Sequence, residues 1–253
     1  MKRNLLVLVL GSLLAAGCIF YNTQADSPQT KTWPAAGVTA VDVRIDNGAI
    51  SVHAGSDTLI SALITKSCKG TSQADAEEHL ADITTGDSIS GATLYLWGKV
   101  PLPNNRSYNT KYELTAPAAC ALRLETTNGA VELDSMSGAA TVIATNGAVG
   151  TKAHSGSISV EAVNGAIDCD MAELGSAMAA ALHATNGRVT IYLPADASFA
   201  FDIKTTNGTA NVNGFTNVSY STNESTHKVG TVGTGAAAVT LRSENGNVNI
   251  EAK

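Results

Sequence analysis

Carboxylates spaced two residues apart are the first groups in this chain that could do chemistry. Asp168 and Asp170 form one such pair, and Glu132 and Asp134 another. Residues i and i+2 of an extended strand share a face. Either pair could therefore act as general acid and base, or hold calcium. The same spacing is also what a solvated strand face offers, and no His or Arg follows closely on Glu132. His53, His79, His154, His183 and His227 are scattered, without metal-ligand spacing. Sugar-cleaving clefts normally carry aromatic platforms, yet Trp33 and Trp97, the only tryptophans, are expected outside the regular part of the chain. GGxGxD calcium nonapeptides and a GxxxxGK[ST] phosphate loop are absent from the sequence. The expectation is a protein that is not an enzyme, with no catalytic residue, metal or cofactor.

The cysteines point to compartment rather than catalysis. Lys2 and Arg3 precede an apolar run from Leu5 to Leu14, then Ala15, Ala16, Gly17 and Cys18. This is the layout of a secretory signal peptide, its core too short for a comfortable membrane span. Leu14-Ala15-Ala16-Gly17-Cys18 resembles the bacterial lipobox, with Ala at a position where Leu is more usual. The resemblance implies cleavage before Cys18, acylation of its thiol, and firm anchoring by several chains. Ile19, not Asp, follows the cysteine, so a Gram-negative host would send the protein to its outer membrane. In an oxidising envelope, Cys68 and Cys120 are the candidate disulfide, because Cys169 sits at an inward repeat position.

The elements that must position these residues are written in a repeat. Asn-Gly recurs at 47–48, 128–129, 146–147, 164–165, 186–187, 207–208 and 245–246, with Ser-Gly at 137–138 and 155–156. Apolar residues stand three and five positions after the Asn or Ser, as in Ile50/Val52, Val131/Leu133, Ile158/Val160, Ile167/Cys169 and Val189/Ile191. Others stand four positions before the Asn, at Leu124, Val142, Val160, Leu182, Ile203 and Leu241. Period-two alternation between turn residues reads as half-buried strands. The glycines Gly48, Gly129, Gly147, Gly165, Gly187, Gly208 and Gly246 are expected at corners, where positive φ suits them. An antiparallel meander with Asn-Gly hairpins fits this pattern. So does an all-β solenoid, a β-helix-like stack of short strands. The matching Asn positions, the small inward residues and the low aromatic content favour the solenoid.

Composition bounds the rest. The 253-residue chain has a net charge of −6, about −8 without Lys2 and Arg3. That leaves no basic stripe for nucleic acid. Residues 1–17 are expected to be the signal peptide and 18–37 the lipidated Cys with a flexible tether. Residues 38–253 follow as a single β-repeat domain, most regular at 120–212. Within it, 73–83 reads as a short helix with Ser72 as N-cap. Gly214–Gly235 reads as a looser segment.

The runs LETTNGAVELDSMSGAATVIATNGAVG, HSGSISVEAVNGAIDCD, ATNGRVTIYLPADASFAFDIKTTNG and LRSENGNVNI resemble the bacterial putative-adhesin family of β-strand-repeat domains. The resemblance spans about residues 38–252 and implies a β-helical stack in the envelope or at the cell surface. It brings no catalytic residues with it. The expected function is a lipid-anchored envelope protein with a non-catalytic binding surface, engaging a glycan or an envelope or host protein. The alternative is a structural or envelope-stress-sensing component without an external ligand.

Overall fold

The structure, a computed structural model, describes residues 22–102 and 106–253. Cys18 and the signal peptide fall outside these residues. In the regular region, β8 (Ala121–Asn128), β10 (Ala140–Asn146), β12 (Ile158–Asn164) and β14 (Ala179–Asn186) lie side by side in one sheet. The strands β9 (Val131–Asp134), β11 (Val149–His154), β13 (Ile167–Met171) and β15 (Val189–Leu193) lie in the other. Each Asn-Gly carries the chain from the first sheet to the second, and each Ser-Gly returns it. Neighbouring strands are parallel, with Val142 beside Leu124 and Val160, and Asn146 beside Asn128 and Asn164. Parallel pairing excludes the meander. The fold is a flattened, two-sided β-solenoid.

Its core is the space between the two sheets. The alternating positions picked out by the repeat, Ile50, Val52, Leu124, Val131, Val142, Val160, Ile167, Cys169, Leu182, Ile191, Leu241 and Ile250, are all buried. Each apolar side chain removed from water contributes roughly 1.5–3 kcal/mol, and stacking identical rungs makes that burial continuous. Three hydroxyls that enter the core meet a corner carbonyl: Thr126, Ser243 and Thr205 donate to the carbonyls of Gly48, Gly187 and Gly246.

The corner glycines are needed for a reason the sequence did not reveal. Only Gly48 (φ +136°), Gly129 (+155°) and Gly246 (+155°) have positive φ; Gly147, Gly165, Gly187 and Gly208 do not. What the corners share is close stacking. A Cβ on Gly147 would lie 1.9 Å from the carbonyl oxygen of Gly129, and one on Gly165 the same distance from that of Gly147. The left-handed residues of the regular coils are instead Ser135 (φ 60°) and Ala153 (φ 51°), each two positions before a Ser-Gly corner.

Both ends of the stack interlock. At the C-terminal end the chain skips a place: β16 (Phe199–Asn207) and β17 (Ala210–Asn213) form the outermost parallel rung. The strands β20 (Ala237–Asn245) and β21 (Val248–Ala252) then return to fill the gap beside β14 and β15. The segment expected to be loose supplies an antiparallel hairpin, β18 (Val218–Asn223) and β19 (His227–Val232), laid on β16. The other end repeats the device. After β2 (Ala40–Asn47) and β3 (Ile50–Gly55) come β4 (Leu59–Gly70), α1 (Gln73–Glu78) and β5 (Thr84–Ser90). The parallel rung β6 (Thr93–Lys99) and β7 (Ser107–Pro117) then slots in beside β2 and β3. Ser72 caps α1 as expected, its Oγ accepting from the Asp75 amide at 3.2 Å.

Two further expectations fail. Residues 18–37 were expected to be a flexible tether, but β1 (Thr23–Pro34) pairs along its whole length with β4. Its alternation is hidden because an edge strand buries little: only Ala25 and Trp33 are buried. Trp33 Nε1 and Lys31 Nζ both donate to Asp87 of β5, at 3.0 and 2.5 Å, closing the gap between the sheets. The second correction concerns the disulfide. Cys68 and Cys120 are both free and buried. Cys68 packs with Ile83 and Tyr108 in a small satellite cluster, whereas the Cys120 thiol faces the Val38 carbonyl oxygen at 4.0 Å. Cys169 is buried as its inward position required, and burial pushes its thiol up to about 12.

Candidate binding face

Chemistry on a two-sided solenoid must come from side chains that point outward. On β6 the sequence TLYLWGK sends Leu94 and Leu96 into the core and Tyr95 and Trp97 out. Tyr95 is 37% and Trp97 36% exposed. The indole of Trp97 lies across β5, because a Cβ on Gly86 would fall 2.1 Å from its Cζ2. Gly86 thus gives the ring a backbone floor. Contrary to expectation, Trp97 belongs to the stack: β6 is the parallel neighbour of β2, with Tyr95 opposite Asp42 and Trp97 opposite Arg44.

Beside these rings runs a line of paired charges. Arg44 grips Asp42 with two hydrogen bonds, Nε to Oδ1 at 2.9 Å and Nη2 to Oδ2 at 2.8 Å. On the next strand, Arg123 Nε stands 3.9 Å from Asp42 Oδ2, and Arg123 Nη2 donates to Glu125 Oε2 at 3.2 Å. The Asp42 hydrogen bond and charge hold the Arg44 proton more firmly than usual. Two cations and two anions cancel, so the patch has two aromatic faces flanked by charge-neutral donors and acceptors. Further along, the face flattens into Thr141, Ser159, Ala181 and Thr240.

The acid pairs from the sequence stand on the outer face of the other sheet. Both Asp168 oxygens accept from Arg188 Nη2 at 2.8 Å, and Asp170 is paired with Lys253. Asp134 accepts from Ser135 Oγ at 2.8 Å and lies 3.6 Å from His53 Nδ1. The Ser135 hydroxyl, Lys152 and His53 hold the Asp134 carboxyl below its ordinary range. Gly150 adds no side chain between Glu132 and Asp168, and a hollow of about 290 Å³ results. A larger hollow, about 470 Å³, lies at a widened corner between Glu173, Leu174, Pro194 and Asp196. Of the hydroxyls that line them, Thr151 bonds to Cys169 Sγ and the Asp170 carbonyl and Ser198 to Thr234 and the Val232 carbonyl, not to a histidine or carboxylate side chain. Among the described residues no cluster of His, Cys, Asp and Glu could hold a metal ion. His154 is the histidine the core takes in: fully buried, with neither ring nitrogen making a well-directed hydrogen bond.

The sequence matches the Toastrack DUF4097 family over residues 31–251. The chain belongs to that family. No curated protein matches it. Among solved structures, a "putative cell adhesion protein" from Clostridium sporogenes aligns over 90% of this chain and all of its own, at 12% identity and a TM-score of 0.49. A "putative adhesin" from Bacteroides fragilis aligns over 90% and 97%, at 12% identity and a TM-score of 0.35. A "putative lipid binding protein" from Parabacteroides distasonis aligns over 89% and 96%, at 11% identity and a TM-score of 0.25. What the Toastrack family establishes for this chain is the strand-repeat architecture. Any site on it has to be argued from its own residues. The sequence reading missed Tyr95 and Trp97, although the alternation over 93–99 carried the signal that both point outward.

Proposed function

We propose that this Toastrack protein is a lipid-anchored, non-catalytic binding protein of the bacterial envelope, whose Tyr95–Trp97 face engages neutral glycans. The observation that carries the reading is the part-exposed indole packed against Gly86, with Tyr95 on the same strand face and a self-neutralised Asp42–Arg44–Arg123–Glu125 network alongside. The apolar face of a pyranose ring stacks on an aromatic ring, and its hydroxyls need both donors and acceptors. A charged polymer would find no net charge to match. A non-catalytic role is supported by the engagement of Asp42, Glu125, Asp134, Asp168 and Asp170 with cations or hydroxyls, none poised to move a proton. The lipid anchor rests on the lipobox at Cys18. With β1 starting at Thr23, the intervening chain can reach no further than about 17 Å from an acylated Cys18.

Binding of the purified soluble domain to an array of neutral oligosaccharides tests the glycan reading. Trp97→Ala should weaken binding about tenfold, the ~1.4 kcal/mol of one stacking contact, with the circular dichroism of the folded domain retained. Wild-type binding by both Trp97→Ala and Tyr95→Ala would sink it. Separately, labelled fatty acid should enter the wild type and not Cys18→Ala. Labelling of intact cells distinguishes a displayed binding face from an internal structural component.

A further inference from the structure

Every Asn-Gly pair is a chemical liability. The glycine nitrogen, once deprotonated, attacks the asparagine Cγ. A C–N bond forms, ammonia leaves with the side-chain nitrogen, and a succinimide results. Water then opens the ring to aspartate or isoaspartate. The attack needs a free glycine N–H, room for that peptide to rotate, and a carboxamide that can turn toward it.

The stack withholds all three from its interior. The amides of Gly48, Gly129, Gly147, Gly165, Gly187 and Gly246 donate to the Asn carbonyl of the adjoining rung, at 2.7, 2.9, 3.0, 3.1, 3.0 and 3.0 Å. Each of these glycines is pressed so closely on the preceding rung that an added Cβ would fall within 2.2 Å of a carbonyl oxygen there. The carboxamides are locked as well. Asn146 Nδ2 donates to Asn128 Oδ1, Asn164 to Asn146, Asn186 to Asn164, Asn245 to Asn186 and Asn207 to Asn245, at 2.8–2.9 Å.

The first of these protections ends with the outermost rung, where Asn207 keeps its carboxamide bond to Asn245 and Gly208 its packing on Gly246. Among the described residues no hydrogen bond engages the amide of Gly208, because no rung follows to supply an Asn carbonyl. Just beyond β17, the amide of Gly214 is likewise unengaged; this residue turns at φ +81° and is exposed, as is Asn213, whose carboxamide is held only by a surface bond from Nδ2 to Glu251 Oε1 at 2.9 Å. We propose that Asn207 and Asn213 are the deamidation sites of the folded protein, and that the interior Asn-Gly dipeptides are shielded by their neighbours. Conversion at Asn207 replaces an amide donor with a carboxylate, which has no hydrogen to offer Asn245 Oδ1. The ladder then loses its last bond and the stack begins to open at that end.

The test incubates the full folded chain at mildly alkaline pH and follows tryptic peptides by mass spectrometry. Cleavage after Lys204 and Lys228 releases one peptide carrying both sites, and fragment ions separate them. Asn207 and Asn213 should show the unit mass gain of amide-to-acid conversion several-fold faster than Asn128, Asn146, Asn164, Asn186 or Asn245. In urea the difference should vanish. Equal rates in the folded protein, or an interior site leading, would overturn the proposal. So would a difference that persists in urea, which would assign it to local sequence. Asn207→Gln, which keeps an amide but reacts slowly, should leave only the Asn213 signal in that peptide.

Discussion

Gly147 and Gly150 lie three residues apart and answer to different constraints. A side chain at 147 would drive into the Gly129 carbonyl, whereas a Cβ at 150 meets nothing within 4 Å. Gly147→Val should therefore cost about 1–3 kcal/mol through overpacking, lowering the Tm by about 2–4 °C for each kcal/mol. Gly150→Ala should leave the Tm within error, and equal effects at the two sites would refute the stacking account. His154 makes a second residue-level case. Burial lowers its pKa; the backbone of Ser157, Met136 and Gly156 stands near the ring and opposes the shift without overcoming it. A histidine with a folded pKa below its unfolded value leaves stability fully present above the unfolded pKa. That stability is lost as pH falls below it, since the unfolded chain then binds the extra proton. From roughly pH 7 to pH 5 the wild-type Tm should fall more steeply than that of His154→Met. Parallel curves would show that the ring stays neutral in both states or finds a partner.

At the scale of the element, the Asn ladder ties one rung to the next outside the core. Asn164 both donates to Asn146 and accepts from Asn186. Replacing it with Ala removes two amide bonds at an exposed site. The expected loss is about 1 kcal/mol, below the sum for two buried hydrogen bonds because water recovers part of it. Urea denaturation should show a lower midpoint with the slope unchanged. No shift in midpoint would mean the ladder is ornamental and the register is held by the core alone. The strands themselves were legible wherever one face is buried: β3, β9, β12, β13 and β15 fall where the apolar alternation after each turn dipeptide places them. The strands β1, β5 and β18 were not, because edge strands with both faces near water carry no period.

Across the whole molecule, the return of β20 and β21 between the β14–β15 and β16–β17 rungs makes the C-terminus structural. In a solenoid that simply ran on, removing residues 237–253 would strip only the final rung. Here it should remove the parallel neighbour of β16 and β17 while leaving coils 121–171 paired. Limited proteolysis of the truncated chain should cut first within 199–232, and resistance there would argue against the interlocked end.

The sequence by itself determined the coil. An 18-residue beat of turn dipeptides and alternating apolar positions can bury its inward face in only a few ways, and the matched Asn positions favoured parallel stacking over the meander that the strand pairing then excluded. The resemblance to a strand-repeat family rested on those same residues. Only the tertiary structure decided the order of rungs at the two ends, the partners of the three buried cysteines, and the place of Trp97 on an outer face. These depend on contacts between segments far apart in the chain, which local periodicity does not encode. The corner glycines mark the division most clearly. Their positions could be read from the repeat, but the carbonyl that makes each one necessary belongs to a neighbouring coil.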